Sequence, residues 1–327
     1  MTADPAANAA PAAAPEAWAG LLLVDKPGGV TSHDVVDRVR RRLRVRGAGH
    51  LGTLDPGASG LLVLALGAAT RCATVWQGGL KTYEATVRLG VITSTQDLQG
   101  EVLERRAVTV TEAEVRAAAA GLTGTTAQVP PMVSALRVGG QRLYRLARRG
   151  ETVERRPRTV HVHTWEWLGF ALPEASFRVV VSSGTYVRTL AHDLGERLGT
   201  GGALRSLRRL RSEPFGLERA VTLRDLDQLT PAEVLGRAGV PLAEALRVLP
   251  AVRLEATAAA ELGFGRRPEV ECGSAPVGAG PRSVAFYGPD GDVLALGALE
   301  PAEVAGADRA LACPHVVFPW AVRQGRP

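Results

Sequence analysis

The sequence predicts an α+β fold, one large mixed unit followed by a small β-rich one. Three observations carry that prediction. The first 246 residues mix long strand-like segments with amphipathic helical segments. Beyond Leu249 the pattern changes to short strands separated by Gly/Pro turns. With 46% hydrophobic residues in a chain of 327, there is enough apolar material for a sizeable core and a second, smaller one.

In chain order, residues 20–24 (GLLLV) read as a short buried strand ending at Asp25-Lys26-Pro27-Gly28. Ser32 is the expected N-cap of a helix running from His33 to about Arg44 and stopped by Gly47. Its apolar face is Val35, Val36, Val39 and Leu43, and Arg38, Arg41 and Arg42 lie on the other. Residues 61–66 form a second buried strand. From Lys81 to Leu89 the alternation is clean: Tyr83, Ala85, Val87 and Leu89 share one face, and Thr82, Glu84, Thr86 and Arg88 share the other. Thr111 and Glu114 make a capping box for an Ala-rich helix to about Ala120. Residues 135–143 read as a hairpin turning on Gly139-Gly140, and 144–149 as a short basic helix. Strands follow at 158–167 and 176–182, broken by Ser183-Gly184. The next helix carries Leu190, Leu194 and Leu198 in one stripe. Residues 204–211 (LRSLRRLR) are a basic strand, and helical pieces fill about 223–246. The last unit has strands at 252–256 and 284–287 and a turn at Gly288-Pro289-Asp290-Gly291. The predicted division is therefore a disordered Ala/Pro-rich tail at 1–17, a large unit at 18–246 and a small one at 252–324.

Charge and composition narrow the class. The chain has 39 Lys+Arg against 33 Asp+Glu, a net charge of +6 that suits a polyanionic partner. Nearly all the basic residues are arginine, whose fork binds phosphate bidentately and stacks on bases. Cys72, Cys272 and Cys313 form no C-x-x-C pair, so neither a disulfide framework nor a zinc site is expected. His161 and His163 alternate beside Trp165 and Trp167 without a third ligand, so that face reads as structural and no metal is expected. The first basic residue is Lys26, which leaves no charged leader of a signal peptide. No apolar run reaches membrane-spanning length. The expectation is a soluble, cytoplasmic protein.

The chemically informative run is residues 46–62, RGAGHLGTLDPGASGLL. It sets one carboxylate, Asp55, on a Gly/Pro turn between a basic helix and an apolar strand, with His50 just upstream. Acids that do chemistry are often held this way. Asp-Pro-Gly is also an ordinary turn, so the turn alone decides nothing. Gly47, Gly49 and Gly52 fit G-x-G-x-x-G, but the dinucleotide fingerprint needs a strand before it, a helix after it and an acid about 20 residues on. Here a helix precedes it, a Pro turn follows, and no acid lies between Asp55 and Glu84. Ser59 stands in G-A-S-G, not in the nucleophile elbow G-x-S-x-G. Further along stand Tyr83 on its strand, Asp97 on a loop and Tyr186-Val187-Arg188 at a helix start. Singly these read as a core aromatic, a turn residue and a solvated helix residue.

Taken together, these pieces resemble the bacterial TruB family of tRNA pseudouridine synthases over roughly residues 20–229. The motifs are GLLLVDKPGGVTSHDVV (20–36), RGAGHLGTLDPGASGLL (46–62), KTYEATVRLG (81–90), QVPPMVSALRVGGQRLYRLARRG (128–150), SSGTYVRTLAHDLGERLG (182–199) and LRSLRRLR (204–211). The resemblance implies the pseudouridine synthase fold, a mixed, largely antiparallel central sheet flanked by helices, with a small C-terminal PUA-like RNA-binding domain. It implies that Asp55 attacks the target nucleotide, at ribose C1′ or at the uracil ring, with no cofactor and no metal. Arg188 would pair with Asp55 and keep it ionised, since an opposite charge nearby lowers a carboxylate pKa. Asp97 would hold Arg188 from its far side. Tyr83 would stack on the flipped base, Tyr186 would act beside it as a candidate general base, His50 would fill the gap in the RNA, and Leu207 would line the base pocket. Lys26, Arg38, Arg41, Arg42, Arg142, Arg145, Arg148, Arg205, Arg208 and Arg209 are the expected phosphate contacts.

The chain departs from the family pattern at Leu51 (usually Thr), Gly57 (Leu), Ser94 (Asp) and Val133 (Tyr). The implied activity is isomerisation of the uridine at position 55 in the tRNA T-loop, by a monomer acting without a guide RNA. The other reading is a tRNA-folding chaperone that binds without turnover. An RNA-binding surface alone has no use for a carboxylate, so the Asp55, Tyr83, Asp97, Tyr186 and Arg188 set favours the enzyme.

Overall fold

The computed structural model describes residues 18–134, 137–138, 141–143, 149, 151, 153–278, 283–302 and 309–322. The expected tail at 1–17 and the basic helix at 144–149, apart from Arg149, lie outside the described residues.

The chain enters through β1 (Gly20–Lys26), whose apolar run is buried almost throughout. Helix α1 (Ser32–Leu43) follows, burying Val35, Val36, Val39 and Leu43 as its period predicts. Its N-cap is Thr31, not Ser32: the Thr31 hydroxyl accepts from the Asp34 N–H at 3.1 Å, and the Asp34 carboxylate accepts from the Thr31 N–H at 2.9 Å. Arg44, at φ 54°, ends the helix three residues before Gly47. Short β2 (Ala48–His50) and β3 (Ser59–Leu66) then flank the Asp55 turn. After α2 (Thr74–Gln77), β4 (Lys81–Leu89) alternates buried and half-buried residues along its full length. The hairpin β5 (Val91–Thr93) and β6 (Val102–Arg105) carries the Asp97 loop. Helix α3 (Glu112–Ala120) has the expected Thr111–Glu114 capping box and leads into β7 (Gly124–Gln128). A two-residue pairing of β8 (Arg137–Val138) with β9 (Gln141–Arg142) matches the hairpin expected there.

Long β10 (Arg158–Ala171) and β11 (Glu174–Val181) follow, then α4 (Val187–Arg197) and β12 (Gly202–Ser212). Smaller pieces complete the unit: β13 (Phe215–Gly216), β14 (Val221–Thr222), α5 (Leu223–Gln228), α6 (Pro231–Ala238), β15 (Gly239–Pro241) and α7 (Leu242–Ala245). The sheet runs β14-β1-β3-β12-β4-β11-β10-β7, with β2, β13 and β15 added at its side. Only β1/β14 and β3/β12 pair in parallel, so the sheet is mixed and largely antiparallel, as expected. Helix α4 packs on β4 and β12. It comes close because Gly195 faces Gly202; a Cβ on Gly195 would lie 2.1 Å from the Gly202 nitrogen.

The remaining elements are β16 (Ala251–Arg253), α8 (Ala256–Gly263), β17 (Glu269–Glu271), β18 (Val284–Tyr287), β19 (Val293–Pro301) and β20 (Arg309–Val317). They form a five-stranded sheet, β16-β18-β19-β20-β17, around a core of its own. This sheet is anchored to the first. Phe318 and Val293 join the large core, Arg71 donates to the Val317 carbonyl at 2.7 Å, and the Tyr287 hydroxyl donates to the Ala243 carbonyl at 3.2 Å. Among the described residues, no helix is long and apolar enough to cross a membrane.

Candidate active site

The Asp55 turn is tied down from three separate segments. The Ser32 hydroxyl accepts from the Leu54 N–H and donates to the Leu54 carbonyl, both at 2.9 Å, which is why Ser32 is unavailable as a cap. Lys26 is fully buried, and its ammonium donates to the carbonyls of Pro27, Val30 and Pro56 at 2.9, 2.7 and 3.3 Å. Arg209, also buried, donates to the carbonyls of Leu61 at 2.7 Å and Gly52 at 3.0 Å. It reaches them because Gly60, at φ +101°, lets the two backbones meet; a Cβ there would stand 2.2 Å from the Arg209 carbonyl oxygen. A loop whose carbonyls are satisfied in this way holds its side chains in one geometry.

Two expectations are thereby corrected. Lys26 and Arg209 do not present their charges to RNA phosphates; both are buried and occupied by backbone carbonyls. Arg42 is largely diverted as well, donating to the carbonyls of Leu226 at 2.7 Å and Leu229 at 2.5 Å. Arg38 pairs with Asp227, Arg205 with Glu174, and Arg208 with Asp25 at 2.7 Å, each leaving part of the side chain exposed. Arg41 is exposed. Arg145, Arg148 and the Arg142 side chain lie outside the described residues.

Losing the Lys26 tie should be costly. In Lys26→Met, three carbonyls lose this donor, of which Pro56 keeps the Gly29 N–H at 2.8 Å, and the unfolding free energy falls by about 2–3 kcal/mol. The same loosening of the turn reduces single-turnover catalysis by about 10-fold or more, since small misplacements of reacting groups are expensive. Urea unfolding alongside single-turnover rates checks this, and wild-type values for both would refute the tie.

Arg188, in the first turn of α4, is 3% exposed and brings the acids together. Its Nε lies 2.8 Å from Asp55 Oδ2, and Nη2 donates to Oδ1 at 3.2 Å. The Asp97 carboxylate stands 3.6 Å away on its far side. Nη1 donates to the Thr95 carbonyl and Nη2 to the Val133 carbonyl, at 2.9 and 2.8 Å. Asp97 is in turn fixed by the Thr95 hydroxyl at 2.6 Å and the Gln99 N–H at 3.0 Å. A buried guanidinium with this many acceptors is fully committed, and breaking such a network is expensive. Burial pushes the Asp55 carboxyl above the usual aspartate range. Arg188 pulls it back, Asp97 raises it again, and Lys26 opposes. Arg188 makes the expected pair with Asp55 and favours its ionised form, while burial opposes it.

Asp55 opens into a cavity of about 320 Å³, whose walls include Tyr83, Tyr186, Leu207 and Lys81. Tyr83 is 9% exposed and belongs to the buried row of β4. Tyr186 precedes α4, with its backbone N–H bonded to the Gln128 side chain at 2.8 Å and its carbonyl at 3.1 Å. Burial raises the Tyr186 hydroxyl pKa, and the neighbouring Ser134 opposes that rise. His50 sits on β2 opposite Leu64, upstream of the turn and outside the cavity wall.

The sequence departures leave this geometry intact. Ser94 accepts from the Glu101 N–H at 3.1 Å, Val133 contributes its backbone carbonyl to Arg188, and Leu51 is buried. The space above Gly57 is filled by the Gln99 side chain; a Cβ at 57 would stand 2.2 Å from its Nε2. Sequence reasoning missed Gln128, Ser32 and Lys81. For Lys81 a signal was present, because it shares the buried face of β4 with Tyr83.

Residues 40–187 match the TruB family pseudouridylate synthase N-terminal domain, and residues 188–247 match the tRNA pseudouridylate synthase B C-terminal domain. Among curated proteins, the tRNA pseudouridine synthase B of Thermobifida fusca (strain YX) is 48% identical over 287 residues, covering 85% of this chain and 93% of that protein. That of Burkholderia pseudomallei (strain 668) is 46% identical over 278 residues, covering 85% and 92%. Among solved structures, a Cbf5-Nop10-Gar1 complex aligns with a TM-score of 0.70 at 29% identity, covering 94% of this chain and 87% of that one. An archaeal box H/ACA sRNP Nop10-Cbf5 complex aligns with a TM-score of 0.69 at 27% identity, covering 97% and 96%.

Proposed function

The chain belongs to the TruB family of pseudouridylate synthases, and from that premise we propose that it isomerises the uridine at position 55 of the tRNA T-loop. It is an RNA uridine isomerase. The observation that carries the finer reading is the Asp55–Arg188–Asp97 network at the wall of a cavity flanked by two tyrosines. A stacked uridine must leave its helix before its glycosidic bond can be reached, at a cost of a few kcal/mol. Tyr83 offers the extruded ring a face to stack on, a contact worth about 1–3 kcal/mol per base. Leu207 closes the pocket, and His50 takes the place the base has left. Asp55 then attacks the nucleotide, the C1′–N1 bond breaks, uracil turns, and C5 bonds to C1′; the bond to Asp55 is broken to release its carboxylate, C5 loses its proton and N1 gains one. Tyr186 is the candidate base where that route requires a deprotonation. Arg188 orients Asp55, and Asp97 orients Arg188.

Arg38, Arg41, Arg205 and Arg208 retain enough exposure to contact phosphates. The five-stranded C-terminal unit is read as a PUA-like surface that binds the same RNA, and the enzyme as a cytoplasmic monomer working without a guide. The test is to incubate the protein with an unmodified tRNA transcript and map the product. Pseudouridine confined to the T-loop position supports the reading, and product elsewhere or none refutes it.

A pH profile follows from the burial of Asp55. Attack needs the carboxylate, and burial raises its pKa, so the protonated, inactive form persists to higher pH than for an ordinary aspartate near 4. The single-turnover rate should therefore begin to fall at a higher pH than an ordinary aspartate would allow. A midpoint at or below the ordinary aspartate value would contradict it.

A further inference from the structure

Of the 39 basic residues, only Lys26 and Lys81 are lysines, and both are buried near the site. Lys26 is explained by the loop it ties. Lys81 is not. It is 6% exposed, and it lines the cavity that holds Asp55, on the same face of β4 as Tyr83. Its Nζ donates to the carbonyls of Gln77 and Gly79 at 2.7 and 2.6 Å. An ammonium has three N–H donors, so two acceptors leave one. Among the described residues, the lining holds three cations, Lys81, Arg188 and Arg209, against one carboxylate, Asp55. Arg188 is committed to Asp55, and Arg209 donates to two loop carbonyls. Lys81 therefore has a hydrogen left to give, in a pocket whose excess charge is positive. Burial also lowers its pKa to about 8, so it is still mostly protonated at neutral pH and poised to give more than it would in water.

The chemistry needs such a group. If Asp55 attacks C1′, the electron pair of the C1′–N1 bond leaves with uracil and spreads over N1, O2 and O4. If Asp55 adds to the ring, the displaced pair also comes to rest on a carbonyl oxygen. Either way negative charge grows on a uracil oxygen and is discharged when C5 bonds to C1′; the C5 proton departs and N1 gains one. Atoms and electrons balance as an isomerisation. We propose that Lys81 is a further catalytic residue, donating its free N–H to a uracil carbonyl oxygen as that charge develops. This rests on the pseudouridine synthase reading above.

The test compares wild type with Lys81→Met and Lys81→Gln, measuring single-turnover loss of the C1′–N1 bond. One tRNA carries uridine at the target and the other 5-fluorouridine, whose fluorine itself stabilises charge on the ring. Removal of one donor from an oxyanion site slows reaction by about 10²–10³-fold. The expected result is a loss of that size in Lys81→Met on uridine, with tRNA affinity within about 3-fold and a deficit at least 10-fold smaller on 5-fluorouridine. Lys81→Gln, which retains a neutral donor, should fall between. Equal deficits on the two substrates, or a loss of rate matched by a loss of affinity, would mean that Lys81 only caps α2 and would overturn the proposal. If wild type forms no pseudouridine, the reading beneath it fails instead.

Discussion

Replacing Asp55 by Asn is expected to abolish pseudouridine formation, lowering the single-turnover rate by about 10⁴-fold or more, the scale seen when a nucleophile is removed. The amide keeps the size and most of the hydrogen-bonding reach of the carboxylate, so the turn held by Ser32, Lys26 and Arg209 should persist. Affinity for tRNA should stay within a few-fold, because the cavity wall and the exposed arginines are unchanged. Raising the pH should not restore the rate, since an amide has no ionised form to recover. Retained activity in Asp55→Asn would remove the centre of the functional reading. Loss of binding together with loss of rate would make the carboxylate a docking group.

The second large effect is expected for Arg188→Met. Breaking a buried ion pair by removing one partner typically costs about 3–5 kcal/mol, because the remaining charge is left unpaired. Here two carboxylates are left, Asp55 and Asp97, and the charge of Asp97 opposes ionisation of Asp55. The Asp55 pKa, already raised by burial, must rise further once the opposing cation is gone. At neutral pH the variant should therefore lose turnover by about 10²–10³-fold, through protonation and through lost orientation. It differs from Asp55→Asn in one respect: its residual rate should climb with pH over a higher window than wild type, because alkaline conditions restore the carboxylate. Single-turnover rates from pH 5 to 9 on both proteins decide this. A pH-independent residual rate would leave orientation as the whole role of Arg188. A large fall in tRNA affinity would contradict the placement altogether.

Much of this was legible in the sequence, for identifiable reasons. Period-two alternation in β4 placed Tyr83 on the buried face, and the Thr111–Glu114 spacing predicted α3. The same spacing rule applied to Thr31 and Asp34 would have found the true cap of α1. What escaped was set by contacts distant in sequence. Lysine is exposed by default, and nothing local to Lys26 reveals the Pro56 carbonyl that it meets 30 residues away. Arg209 was misread because β12 has register shifts at Leu204/Ser206 and Arg209/Arg211. A bulge changes which side of a strand each residue faces, so the basic composition of LRSLRRLR could not tell that Arg209 turns inward while Arg205 stays exposed. Desolvation of Asp55 was likewise invisible, since burial depends on every element that closes the pocket.

The three ties on the Asp55 turn come from β1, α1 and β12, segments that span the chain from Lys26 to Arg209. Such a loop cannot melt by itself: freeing it means parting strands from the middle of the sheet. The carbonyls and the Leu54 N–H that these ties hold are therefore freed only when distant segments move apart. Catalytic competence becomes a property of the whole native state. A partly folded intermediate, or a fragment lacking β12, would carry Asp55 without the geometry that makes it reactive, so immature chains in the cell would leave RNA chemically untouched.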